Sequence, residues 1–152
     1  MNMKYSLAFI TILMVSCVTV QPVSFNRTGE VTCVEKGRTT ISLVSTGRAH
    51  NTDVASEYAV RNAFENLLFK GIPDSNQEKP LVPNEVESLK KHGSFYDDLL
   101  NKREYQRFII ESNIQNSAGA RGSAINDVFL KIDLQALKSH LEQNSITRKF
   151  GL

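Results

Sequence analysis

Residues 51–71 read NTDVASEYAVRNAFENLLFKG, and this stretch decides the fold. Ala55, Ala59 and Ala63 recur every four residues and Leu67 continues them, with Phe64 and Leu68 on the adjoining flank. That spacing matches the helical period and not the period of two expected for a strand. Asn51 and Thr52 are N-cap residue types, and Asp53 puts a carboxylate in the first turn, where the helix dipole favours an anion. Gly71 follows the last periodic residue as a C′ glycine. The pattern predicts a helix from about Thr52 to Lys70. Its alanine face allows close approach to a sheet, so it reads as a packing surface rather than a ligand site.

Outward from this helix the period changes. Glu30 to Glu35 and Thr39 to Thr46 are rich in Val, Ile and Thr and flank Lys36-Gly37, which predicts two strands joined by a turn, the second closed by Gly47. Cys33 alternates with Val31 and is expected on the buried face. Downstream, Gly71-Ile72-Pro73 ends the helix, Asp74 to Lys79 reads as a polar loop, and Pro80-Leu81-Val82-Pro83 re-enters the apolar layer as an extended segment. Val86, Leu89, Tyr96, Leu99 and Leu100 then form a helical stripe interrupted near Gly93, a helical insertion acting as a flank or lid.

Phe108, Ile110 and Ile114 share one parity within residues 105–116, as do Val128, Leu130 and Ile132 within 125–133. Two strands, each with one buried face, are predicted, joined through a flexible tip at residues 117–124 that contains Gly119 and Gly122. Asp133 can cap a short last helix carrying Leu134, Leu137 and Leu141 and ending near Asn144. The apolar members of the tail, Ile146, Phe150 and Leu152, are expected to fold back on the domain or to meet a partner. The predicted class is α+β: a small antiparallel sheet with a long helix on one face, a helical insertion, a C-terminal β-hairpin and a short final helix.

The N-terminus speaks to location. Lys4 precedes the apolar run Leu7 to Val15, which is of signal-peptide length and shorter than the roughly 20 residues of a membrane-spanning helix. Val15-Ser16-Cys17 resembles the lipobox of bacterial lipoproteins, which implies that Cys17 is acylated and becomes the new N-terminus. Residues 1–16 are then the signal peptide, 17–29 a lipidated tether and 30–152 a single domain. Several acyl chains anchor a protein durably where one holds it marginally. The competing reading is a secreted protein with a Cys17–Cys33 disulfide.

Chemistry is harder to locate. Lys and Arg number 18 against 16 Asp and Glu, so no net field favours nucleic acid or anionic lipid. His50, His92 and His140 have no metal-ligand spacing with one another or with Cys33, and no metal or cofactor is expected. The run Ser117 to Ser123 contains two glycines but lacks the Gly-Lys-Ser/Thr ending of a phosphate-binding loop. Asp97 and Asp98 are adjacent and point about 100° apart on a helix, which suits a solvated face. Gly93-Ser94 lacks the pattern of a nucleophile elbow.

Two resemblances cover much of the chain. Residues 62–73 (NAFENLLFKGIP), Pro80-Leu81-Val82 and residues 148–152 (RKFGL) resemble a family of Bacteroidetes lipoproteins, which implies a lineage rather than an activity. Ser45-Thr46-Gly47-Arg48-Ala49, followed by the alanine-spaced helix and a hairpin, is similar to the Lpp20-like lipoproteins and to the N-terminal domain of flagellar assembly protein T. Those likenesses imply a role in cell-envelope assembly or binding. The expectation is a non-enzymatic lipoprotein of the cell envelope, anchored in the outer membrane through Cys17 and meeting an envelope protein partner. The alternative is a hydrolase or ligand-binding protein whose site gathers distant residues such as His92, Asp97 and Arg121.

Overall fold

In the computed structural model, which describes residues 25–28, 30–120 and 122–148, strands β1 (Val31–Lys36) and β2 (Thr40–Ala49) lead into helix α1 (Thr52–Phe69). Helices α2 (Glu85–Lys91) and α3 (Gly93–Tyr96) follow, then a π-helical turn at Asp97–Asn101 and a 3₁₀ turn at Glu104–Phe108. Strands β3 (Ile109–Ala120) and β4 (Ser123–Asp133) and helix α4 (Leu134–Gln143) complete the order. The strands form one antiparallel sheet in the order β1-β2-β4-β3, and the fold is α+β as its sequence periodicity predicts.

The β2–β4 ladder is unbroken from Thr40↔Asp133 to Ala49↔Ala124. Ile41, Leu43, Val128, Leu130 and Ile132 share its buried face, and the alanine stripe of α1 (Ala55, Ala59, Ala63) is fully enclosed against it. The approach is close enough to need a glycine. A Cβ on Gly47 would stand 2.0 Å from the Ala55 carbonyl oxygen and 2.4 Å from the Ala59 amide nitrogen. Gly47 therefore does not end the strand as expected. It stays in register opposite Asn126 and lets the helix pass over the sheet, and β2 continues to Ala49.

Both ends of α1 are tied down. The Val54 amide donates to the Asn51 side chain at 2.9 Å, so of the two N-cap residue types in the sequence Asn51 is the cap and Thr52 the first helical residue. Buried Asn126 donates through Nδ2 to the Thr52 carbonyl (2.8 Å) and Ser56 Oγ (2.7 Å), and its Oδ1 accepts from Ser117 Oγ (2.8 Å). At the other end Gly71 takes φ +82°, and the amides of Leu81 and Val82 donate to the carbonyls of Leu67 and Leu68, which would otherwise lack partners. The loop between is less polar in its setting than its composition suggests. Ser75 and Gln77 are buried, Ser75 Oγ donating to the Ile72 carbonyl (2.7 Å) and accepting from the Gln77 amide (2.8 Å).

The insertion divides at His92–Gly93, where its interrupted stripe suggests a break. Tyr96, Leu99 and Leu100 enter the core, whereas Val86 and Leu89 on α2 remain exposed. Only the second half of the predicted stripe is buried.

The largest departure is β3. Tyr105 and Phe108 are buried in the 3₁₀ turn rather than on a strand, Tyr105 stacking on Phe64 with centroids 5.0 Å apart. Ile110 and Ile114, predicted to face the core, are 55% and 50% exposed. The reason is geometric: α1 lies over β2 and β4, and β3 at the sheet edge projects beyond that cover. The hairpin tip is shorter than expected, because pairing continues to Ala120↔Ser123. Helix α4 begins at the Asp133 cap as read and buries Leu134, Leu137 and Leu141. Ile146 folds back onto the core, and residues 149–152 of the tail, including Phe150 and Leu152, lie outside the described residues.

Candidate functional site

The densest polar chemistry lies where residues 25–28 meet α1. Asn62, Glu65 and Asn66 occupy one helical face, all three buried, next to the apolar positions 63, 64, 67 and 68. Thr28 is held by both asparagines: its amide donates to Asn62 Oδ1 (3.0 Å), its hydroxyl accepts from Asn62 Nδ2 (2.9 Å), and its carbonyl accepts from Asn66 Nδ2 (2.9 Å). Asn66 Nδ2 also donates to Asn62 Oδ1 (3.0 Å), which ties the two amides together. A buried amide costs free energy unless it is paired, so this set of bonds defines one docked position for the strand of chain.

Charge completes the clamp. Glu65, whose side chain is 8% exposed, receives Arg61 Nε on Oε1 (2.8 Å) and Arg27 Nε on Oε2 (2.9 Å). Arg27 also forks onto both oxygens of Glu85 on α2. Hydrogen bonding to Glu85 is the main reason the Arg27 guanidinium is held more firmly protonated than usual, and desolvation works against it. Arg27 lies over the Phe69 ring at 5.1 Å, Arg61 lies over Phe25 at 4.3 Å, and Phe25 meets Tyr58 edge to face at 5.3 Å. One guanidinium thus joins the N-terminal segment, α1 and the helical insertion.

Beside this clamp is a cleft of about 300 Å³ bounded by Glu85, Tyr96, Asp97, Leu100 and Asn101. Both oxygens of Glu65 and of Glu85 are engaged by guanidinium, and the Tyr96 hydroxyl shares a hydrogen bond with Ser88 at 2.6 Å. Burial is the main cause that raises the pKa of the Tyr96 phenol, and it does the same for Tyr105 in the core.

The residues singled out from sequence are scattered. His92 lines a different cleft, with Pro83, Ser88, Ser145 and Ile146, and Asp97 pairs with Lys102 and Asn101. Arg121 and Cys17 lie outside the described residues. The structure therefore does not bring His92 and Asp97 to one site. Asp98 also pairs with Lys102, as suits a solvated face. His50 is exposed beside Asn51, and His140 sits between Phe95 and Phe108. Cys33 is a free thiol, half-buried against the core, and burial raises its pKa. Among the described residues no group of His, Cys, Asp and Glu could hold a metal ion, and no helix is long and apolar enough to cross a membrane.

Sequence reading missed Asn62, Glu65, Asn66 and their partner Arg27. A signal was present: amides four apart inside an otherwise apolar half-helix are out of place on a solvated face. What they would bind, a segment 34–38 residues upstream, carries no periodicity of its own. Comparison with protein-family models, curated proteins and solved structures finds no match to this chain in any of the three.

Proposed function

We propose that this chain is a lipid-anchored protein of the bacterial cell envelope, carried on acylated Cys17 at the outer membrane, and that it acts as a non-enzymatic binding or assembly module. The observation that carries the reading is the clamp on residues 25–28. Phe25 follows Cys17 by only eight positions, a reach of at most about 28 Å for a fully extended chain. A domain whose N-terminal segment is bonded to α1 by Thr28 and Arg27 would be presented close to the lipid surface in a restricted orientation, which suits a scaffold better than a freely diffusing enzyme. Guanidinium–carboxylate pairs that neutralise one another across three elements support the same role.

Intact-mass spectrometry of membrane-extracted protein tests it. The expected mature chain begins at Cys17 with added acyl mass, and Cys17→Ser releases the protein from the membrane fraction. A mature chain that begins elsewhere, or a Cys17–Cys33 disulfide, overturns the anchored reading. Turnover of a hydrolytic substrate abolished by His92→Ala would overturn the non-enzymatic one.

A further inference from the structure

We propose that β3 is a self-recognition edge through which two copies of this chain pair antiparallel, joining their sheets across a two-fold axis at Ile114. Strand β3 is one of the two edge strands of the sheet, β1 being the other, and runs for 12 residues. From Ile110 onward every residue of it is exposed. Proteins usually blunt such an edge with lysine, proline, brevity or a bulge, and of these β3 has only its bulges, at Ile110 and Gln115. This one carries no lysine, arginine or proline, and Glu111 is its single charge.

The register with β4 shows what the edge would accept. Ile114 pairs with Val128 and Asn116 with Asp127, so Gln115 is the extra residue of a bulge. With Gln115 set aside, the edge reads Ser112-Asn113-Ile114-Asn116-Ser117, the same in both directions. An antiparallel copy centred on Ile114 places Ile114 against Ile114, Asn113 against Asn116 and Ser112 against Ser117. Each pair lies on one face of the sheet, because Ser112, Ile114 and Ser117 share the side of Leu130, Val128 and Asn126. The same register sets Glu111 opposite Ala118, so the two carboxylates do not confront each other. Like amides and like hydroxyls hydrogen-bond across strands, and the two half-exposed isoleucines cover one another. A two-fold interface requires this kind of self-complementarity, and a strand accepting an unrelated peptide does not. The pairing needs no lipid, so its failure and that of the anchor are separable.

Cysteine trapping in the full-length chain carrying both Cys17→Ser and Cys33→Ser tests the register, with that parent as the control that must stay uncrosslinked. Directly opposed Cβ atoms approach to about 4.5–5.5 Å, close to disulfide range. Ile114→Cys is expected to give a disulfide-linked dimer on mild oxidation. Glu111→Cys should give none alone but should crosslink when mixed with chains carrying Ala118→Cys. Sedimentation of the Ile114→Lys chain should show the monomer mass, and its thermal midpoint should not depend on protein concentration, whereas that of the paired, unsubstituted protein should. An unsubstituted chain that is monomeric throughout, a dimer that survives Ile114→Lys, or crosslinking of Glu111→Cys to itself would overturn the proposal.

Discussion

Gly47 and Ala59 meet backbone to backbone: any side chain on Gly47 would begin 2.4 Å from the Ala59 amide nitrogen. The contact sets the separation between α1 and the sheet, and the smallness of both residues is what permits it. Gly47→Ala and Ala59→Leu should each overpack the interface and lower stability by roughly 1–3 kcal/mol. Chemical denaturation reads the effect, and an unchanged midpoint for either variant would show that the layers can separate at little cost.

Glu65→Gln keeps the size of the side chain and removes the charge that two arginines share. The expected loss is about 1–2 kcal/mol, toward the low end for charged hydrogen bonds because both guanidiniums remain about a quarter exposed. A more local readout is the Thr28 amide, which donates to Asn62. Its hydrogen exchange should accelerate more than that of the β2 amides, and equal acceleration of both would mean that the clamp and the domain open together.

His140 carries a buried Nε2 with no partner among the described residues and lies between Phe95 and Phe108, 5.4 and 5.3 Å away. Burial depresses its pKa, Arg107 adds to the depression and Glu104 opposes it. The unfolded chain, titrating near 6.5, then takes up the proton first as pH falls. The titration of His140 should therefore contribute nothing well above that value and should destabilise the fold progressively below it. Urea titrations of the unsubstituted protein and of His140→Gln should diverge on acidification, and parallel profiles would remove His140 as the cause.

Ser145 ends α4 in the left-handed region at φ +58°, and the next amide, Ile146, donates to the Leu141 carbonyl. This is the backbone position that glycine fills most readily. Ser145→Gly should raise stability by roughly 0.5–1 kcal/mol, the relief of strain being partly offset by the greater freedom of glycine in the unfolded chain. Thermal melts check the sign, and a lowered midpoint would show that the Ser145 side chain contributes more than its backbone costs.

Local chemistry made much of the fold legible in advance. The period of Ala55, Ala59 and Ala63, the caps at Asn51 and Asp133, the C′ glycine at Gly71 and the alternation of Val128, Leu130 and Ile132 each rest on near neighbours in the chain, and each is found as read. The candidate site was far less visible. Arg27 finds Glu65 and Glu85 across 38 and 58 residues, and no pattern in residues 25–28 marks them for docking.

What the sequence determined by itself was therefore the type of the four strands and of the long and final helices, though not of the 3₁₀ turn at Glu104–Phe108, because periodicity and capping are properties of a few consecutive residues. Only the tertiary structure decided which apolar faces are covered. Val128 and Ile114 belong to equally convincing alternating strands and stand opposite each other in the sheet, yet one is buried and the other half exposed. The width of α1 makes the difference: one helix spans β2 and β4 and leaves the edge strand open.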